Sequence, residues 1–292
     1  MIWKGSLTYI KVWLEGTDNE ALLNMKVIIS HDVDHLFWSD HLKDLIYPKL
    51  WIRETLSWLK RDITSREYSL RMHTTFQRVR HRITEVIEID RKYGVDSTFF
   101  FGMANGLGMS YSIRKALPVI EFVQNEGFDI GVHGIAYDDR RKIRQEFSKF
   151  QGITGLENFG IRTHYVRYNE HTFDRFAETG YLFDTSEFDK NNGSLLKHPY
   201  KVGNMWEFPL TIMEGYLPYN FDEAKAKTIE IVHQAQMSEL PYVTVLFHDY
   251  LFSSAYIERK KWYEWFLDFC VSNNLPFISY NQAIKELEYT DD

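Results

Sequence analysis

Short, continuously apolar runs alternate along the chain with longer stretches whose apolar residues recur every three or four positions. Eight runs predict strands: "KVIIS" (26–30), "DSTFFFG" (96–102), "DIGVH" (129–133), "GIRTHYV" (160–166), "LFDTS" (182–186), "WEFPLTI" (206–212), "YVTVLFH" (242–248) and "PFISY" (276–280). The helical pattern places helices near 41–60, 67–93, 111–126, 140–150, 171–179, 222–238, 255–273 and 281–288. Strands that are apolar on both faces, each followed by a helix, predict a parallel α/β sheet covered by helices. Seven or eight such units in 292 residues predict a single-domain, distorted (β/α) barrel of about seven parallel strands. No linker or repeat divides residues 1–292, and residues 1–24 read as an N-terminal extension before the first strong strand.

Composition narrows the function. Aromatic residues make up 16% of the chain and are spread along it, enough for a sizeable core. A net charge of −7 argues against a nucleic-acid or membrane-surface binder, so an acidic ligand would need a local basic patch. The single cysteine excludes an internal disulfide framework and a thiolate metal site. Cys270 sits in the helical run "WFLDFCVSN" and reads as core. The first residues lack the pattern of a signal peptide, and no apolar run reaches the ~18 residues of a membrane span. The expectation is a cytoplasmic protein.

The titratable residues fall in a telling place. Asp32, Asp34, His133, Arg162, His164 and His248 lie at or just beyond the C-terminal ends of predicted strands, the rim on which parallel barrels build active sites. In "VIISHDVDH", Asp32 and Asp34 are two apart and point to one side, with Val33 opposite. Two carboxylates that close raise each other's proton affinity unless a cation intervenes. A divalent ion on one would leave the other free as a general base; the alternative is that Asp34 caps a helix beginning near Leu36. His133, between Gly131 and Gly134, is either a structural strand-end histidine or a ligand, and imidazole with carboxylate suits zinc or a similar ion. Arg162 and His164 share a face, so if one reaches the pocket the other does. Asp249 either orients His248 or begins the next turn. Nothing promotes His31 or His35 to ligands, and His73, His81 and His233, within helical patterns, read as solvated or structural.

The ordered set of these segments resembles the polysaccharide deacetylase family, the NodB-homology or family 4 carbohydrate esterases, over roughly residues 25–288. "ISHDVDH" resembles the family's paired-aspartate motif in a D-x-D form, and "GVDSTFFFG" its following strand. "DIGVHG" resembles the strand ending in the first metal histidine, and "IRTHYVRYNEHTFDRFAETGY" the R-x-P-Y segment with its helix. "TVLFHD" and "LPFISY" resemble the final L-x-H motif and last strand. The resemblance implies Asp32 as base, Asp34 and His133 as metal ligands, and Arg162 as the residue holding the base. It also implies the Tyr165 backbone N–H as oxyanion donor and His248 as general acid. Two positions depart from the family. Tyr137 stands where the second metal histidine is usual, and His164 replaces the proline of R-x-P-Y. The third ligand is then His164, with Asp138 competing, or the site is degenerate.

The expected activity is a metal-dependent hydrolase, zinc being the first candidate ion, that removes acetyl from an N-acetylated sugar or glycan precursor in polysaccharide biosynthesis. The alternatives are hydrolysis of a non-peptide C–N bond in a small metabolite, or a catalytically degenerate carbohydrate-binding barrel. The aromatic segments "LFWSDHL" and "FHDYLF" flank the rim and either stack on sugar rings or pack the core.

Overall fold

The computed structural model describes residues 25–42 and 44–290. β1 (Lys26–Val33) runs three residues past "KVIIS", carrying His31, Asp32 and Val33 into the sheet. It is followed by β2 (Thr98–Gly102), β3 (Asp129–Gly134), β4 (Gly160–Thr163) and β5 (Phe183–Asp184). Then come β6 (Tyr200–Val202), β7 (Met205–Glu207), β8 (Ile212–Met213) and β9 (Tyr242–Leu246). They form one sheet in the order β6-β7-β5-β4-β3-β2-β1-β9-β8, parallel throughout except for β6 against β7.

β7 and β8 sit toward opposite ends of that order, yet only residues 208–211 separate them. β7 pairs with β5 and β8 with β9, and between them Phe208 N–H bonds the Asp184 carbonyl and Thr211 N–H the Thr244 carbonyl. The stretch 205–213 therefore bridges the two ends and curls the sheet into the expected distorted barrel. Counted as one strand with β1 to β5 and β9, it makes seven parallel strands. The predicted strand 206–212 is thus real in space but broken in pairing, because its two halves serve opposite edges.

Two other elements differ from expectation. "PFISY" is no strand: one parallel bridge joins Phe277 to Val27, and a helix begins at Tyr280. β2 pairs with β1 only from Ser30 onward, so just the start of β1 has an open edge there. The helix predicted over 67–93 is two, α2 (Ser65–Thr74) and α3 (Ile83–Tyr93), after α1 (Ile46–Leu59). Between α2 and α3 the chain runs antiparallel to the residues after β1: Trp38 N–H bonds the Arg78 carbonyl, and Arg80 N–H bonds the Leu36 carbonyl. That pairing overrides helical propensity. The remaining helices are α4 (Ile113–Asn125), α5 (Arg140–Thr154), α6 (Thr172–Thr179), α7 (Phe221–Met237), α8 (Ile257–Ser272) and α9 (Tyr280–Thr290).

Strand alternation sorts the core into two layers. Val27, Ile29 and Val33 of β1 face outward into a cluster with Ile83 and Val86 of α3 and Phe266 of α8. Ile28 faces inward onto Phe100, Phe183, Phe208 and Tyr280, with Ala283 and Ile284 of α9 filling the inside of the curl. His31 belongs to the outer layer, where its ring nitrogens bond the Phe247 carbonyl (2.8 Å) and Asp90 (2.9 Å); it is structural. Cys270 is buried core, as its helical setting implied. Residues 1–24, read as an extension, lie outside the described residues. Among the described residues no helix is long and apolar enough to cross a membrane.

Candidate active site

Ser30, Asp32 and Asp34 continue the inward parity of β1 to the C-terminal rim. Arg162, fully buried on β4, three strands from β1 in the sheet, reaches across the barrel: Nη1 donates to Asp32 Oδ1 (3.0 Å) and Nη2 to Ser30 Oγ (2.8 Å), while Nε donates to the Thr185 carbonyl (3.1 Å). Burial works against the guanidinium charge, but Asp32 and its other neighbours outweigh it and hold Arg162 cationic. Asp32 Oδ1 is thereby fixed, and Oδ2 is turned toward the site, 3.7 Å from His133 Nε2.

His133, at the end of β3, sets its Nδ1 3.1 Å from the Arg162 carbonyl. That contact fixes the tautomer, with Nδ1 donating and Nε2 turned into the site. His164 is the mirror case: Nε2 lies 3.2 Å from the Leu107 carbonyl, so Nδ1 faces inward. The two inward nitrogens are 3.0 Å apart, and each is 3.2 Å from Asp34 Oδ1. Two bare lone pairs and a carboxylate oxygen at that spacing repel unless a positive charge lies among them. Burial pushes Asp34 up, yet the two imidazoles and His248 hold it well below the usual carboxylate range; His133 is raised against its own burial by Asp32 and Asp34. Asp34 Oδ1 is also buried with no well-aligned hydrogen bond. An edge of about 3 Å between donor atoms matches a small ion with bonds of about 2.0–2.2 Å, so Asp34, His133 and His164 fit a divalent metal, and one carboxylate with two imidazoles suits zinc.

The chain forms this group by ending β4 early. β4 stops at Thr163 rather than 166, although His164 N–H still bonds the Gly134 carbonyl (2.7 Å). A tight turn follows, closed by Val166 N–H to the Thr163 carbonyl, with Tyr165 and Val166 both at positive φ (61° and 43°). Non-glycine residues held there mark strain kept for a purpose. The turn exposes the Tyr165 side chain, and its backbone N–H makes no hydrogen bond among the described residues.

His248, just past β9, lies across the site with Nε2 3.6 Å from Asp34 Oδ2. Its Nδ1 bonds Glu214 Oε1 at 2.6 Å. Burial disfavours the imidazolium, but Glu214, then Asp34 and Asp32, raise His248 to about 10. Glu214 was not anticipated from sequence; its only signal is that it lies two positions beyond the strand-like run 206–212. Asp249 has the other role weighed for it: it begins the turn Asp249–Leu251, and its carboxylate accepts the Arg82 N–H (2.7 Å) at the start of α3.

All six rim residues and the Tyr165 turn thus come together. Asp138 does not: it is exposed and outside the ligand group. Tyr137, where a second histidine is usual in the family, sits under the Arg167 guanidinium instead. Gly131 and Gly134 leave room for the Phe100 ring and the Ile161 side chain, not for a ligand. His35 bonds His41 (2.9 Å), which bonds Asp44 (2.7 Å), and plays no part in the ligand group. Of the Phe, Trp and Tyr residues described in the two aromatic segments, only Tyr250 lines the cavity of ≈ 540 Å³ over the site, and Trp38 stacks on Tyr47.

The curled seven-stranded barrel thus carries an Asp–His–His cluster at its C-terminal rim. The chain matches a solved structure from Mycobacterium smegmatis assigned as a polysaccharide deacetylase, with a TM-score of 0.61 and 15% identity over 92% of this chain and 91% of that one. It matches another so assigned, from Pseudomonas aeruginosa PAO1, with a TM-score of 0.54 and 13% identity over 91% of each. No family model and no curated protein matches the sequence. The likeness is one of fold.

Proposed function

We propose that this protein is a metal-dependent hydrolase that removes an acetyl group from an N-acetylated sugar or glycan precursor in polysaccharide biosynthesis. The observation that carries the reading is the convergence, on one cavity, of three metal-type donors, an arginine-anchored carboxylate and a carboxylate-anchored histidine. Asp34, His133 and His164 would hold the ion, which when bound supplies Lewis acidity and lowers the pKa of water. Asp32, held through Oδ1 by Arg162, takes the proton of the attacking water at Oδ2. The Tyr165 N–H donates to the acetyl oxygen as negative charge develops there. His248, kept protonated by Glu214, gives its proton from Nε2 to the leaving nitrogen as the C–N bond breaks, releasing acetate and free amine.

Acetate release from N-acetylhexosamine derivatives, measured beside the metal content of the purified protein, tests this reading. Asp32→Asn is expected to lower turnover by at least ~100-fold, the usual scale of one acid–base group, while keeping the metal stoichiometry. Full activity in that variant would remove Asp32 from the base role. A protein with neither bound metal nor acetate release would sink the hydrolase reading.

A further inference from the structure

Arg80 is a cation that this chemistry leaves unused. It lies between α2 and α3, is 8% exposed, and lines the catalytic cavity. Among the described residues its one side-chain hydrogen bond runs from Nη1 to the Thr74 carbonyl at 3.3 Å, and its guanidinium stands 5.6 Å from the centre of the Tyr47 ring. The neighbouring acids are engaged elsewhere: Asp40 with Lys115, Asp44 with His41 and Ser110, Glu54 with Arg71 and Arg53. No carboxylate pairs with Arg80 among the described residues. Burying a guanidinium with most of its donors unspent is costly unless a counter-charge arrives.

The same cavity receives Lys49 from α1 and Lys190 from the loop after β5, both exposed and neither in an ion pair among the described residues. Three unpaired cations thus come from three separate parts of the chain. The carboxylates in the cavity are committed at the catalytic end, Asp32 to Arg162, Asp34 to the ligand histidines and Glu214 to His248. In a chain of net charge −7, this cationic wall is a local reversal of sign.

We propose that the substrate carries a phosphate group, seated on Arg80 inside the cavity with Lys49 and Lys190 closing on it. The proposal rests on the deacetylase reading of the same site. A group bearing close to two negative charges can use several cations at once, and the guanidinium fork suits phosphate oxygens. A soluble sugar phosphate and a lipid-linked sugar diphosphate share this chemistry.

The test begins with calorimetric titration of inorganic phosphate and pyrophosphate into chelator-treated protein, which removes any metal that would itself bind phosphate. Binding by the native protein is expected to weaken at least tenfold in Arg80→Met and in Lys49→Glu. Lys49 is exposed, so its variant keeps the test decisive if Arg80→Met fails to fold. No binding, or binding unchanged in the folded variants, overturns the proposal. Turnover is then compared for N-acetylglucosamine, its 1-phosphate and a lipid-linked diphosphate in detergent. Preference for either phosphate-bearing compound supports the seat and tells which source it serves. Equal or faster turnover of the neutral sugar overturns it while leaving the hydrolase reading intact. Phosphate binding that depends on Arg80, with no acetate from any compound, keeps the anion seat and removes the hydrolase reading.

Discussion

At the scale of single residues, the site depends on which nitrogen of each histidine is already spent. The Arg162 carbonyl accepts a hydrogen bond from His133 Nδ1–H and the Leu107 carbonyl one from His164 Nε2–H, so opposite nitrogens of the two rings meet at Asp34. Removing one of three ligands weakens a metal site severely, whereas removing an exposed acid outside it does not. His164→Ala is therefore expected to lower metal affinity at least ~10-fold, read by competition with a chromogenic chelator, and Asp138→Ala to leave it unchanged. The reverse result would move the third ligand to Asp138. The sequence held one clue to this grouping, the two-residue spacing that puts Arg162 and His164 on one face. It did not hold Glu214, which lies 34 positions from its partner His248 and has no pattern of its own.

At the scale of elements, the inward faces of the strands are crowded by rings. A Cβ placed on Gly160 would come within 2.3 Å of the Phe183 ring, which stacks on Tyr280 at 4.4 Å between centroids. Gly160→Ala is expected to destabilise the protein by about 1–3 kcal/mol through overpacking, seen as a lower denaturant midpoint. β5 and β7 carry a second test. Asp184 and Glu207 are register partners and fully buried, and among the described residues Asp184 Oδ2 and Glu207 Oε2 have no well-aligned hydrogen-bond partner. Burial first, then the Asp184 charge, pushes Glu207 well above the usual range, and burial raises Asp184 as well, so the expectation is that the pair holds one proton between them. The folded state then binds more protons than the unfolded one. Stability is fully present below the ordinary glutamate pKa and is lost as pH rises through the raised one. Glu207→Gln, which mimics the protonated acid, is expected to flatten that loss, measured as unfolding free energy between pH 5 and 9. An unchanged slope would show that the pair does not share a proton.

For the whole molecule, the proposed ligands come from just after β1, from β3 and from the turn after β4, so an ion bound there would tie together the barrel wall. Binding to the folded state alone adds about 2.7 kcal/mol at a hundredfold excess over Kd. Chelation is expected to lower Tm by several degrees and zinc to restore it, while His164→Ala shows neither shift. Chelation without effect on the native protein would argue against a resident ion.

The α/β barrel was legible in the sequence because strands buried on both faces must be continuously apolar, and the return helices must repeat every three or four residues. The rim positions of Asp32, Asp34, His133, Arg162, His164 and His248 followed from the same pattern, although β1 ends three residues later and β4 three residues earlier than its apolar run. Partnerships between distant segments were not legible. The stretch 205–213 serves both ends of the sheet, residues 76–82 leave a helical pattern to pair beside β1, and Arg80 arrives unpaired in the cavity. The sequence by itself determined which chemistry stands at the rim, because side-chain type and strand parity are local. Only the tertiary structure decided who meets whom, because hydrogen bonds and charges act across space without regard to separation along the chain.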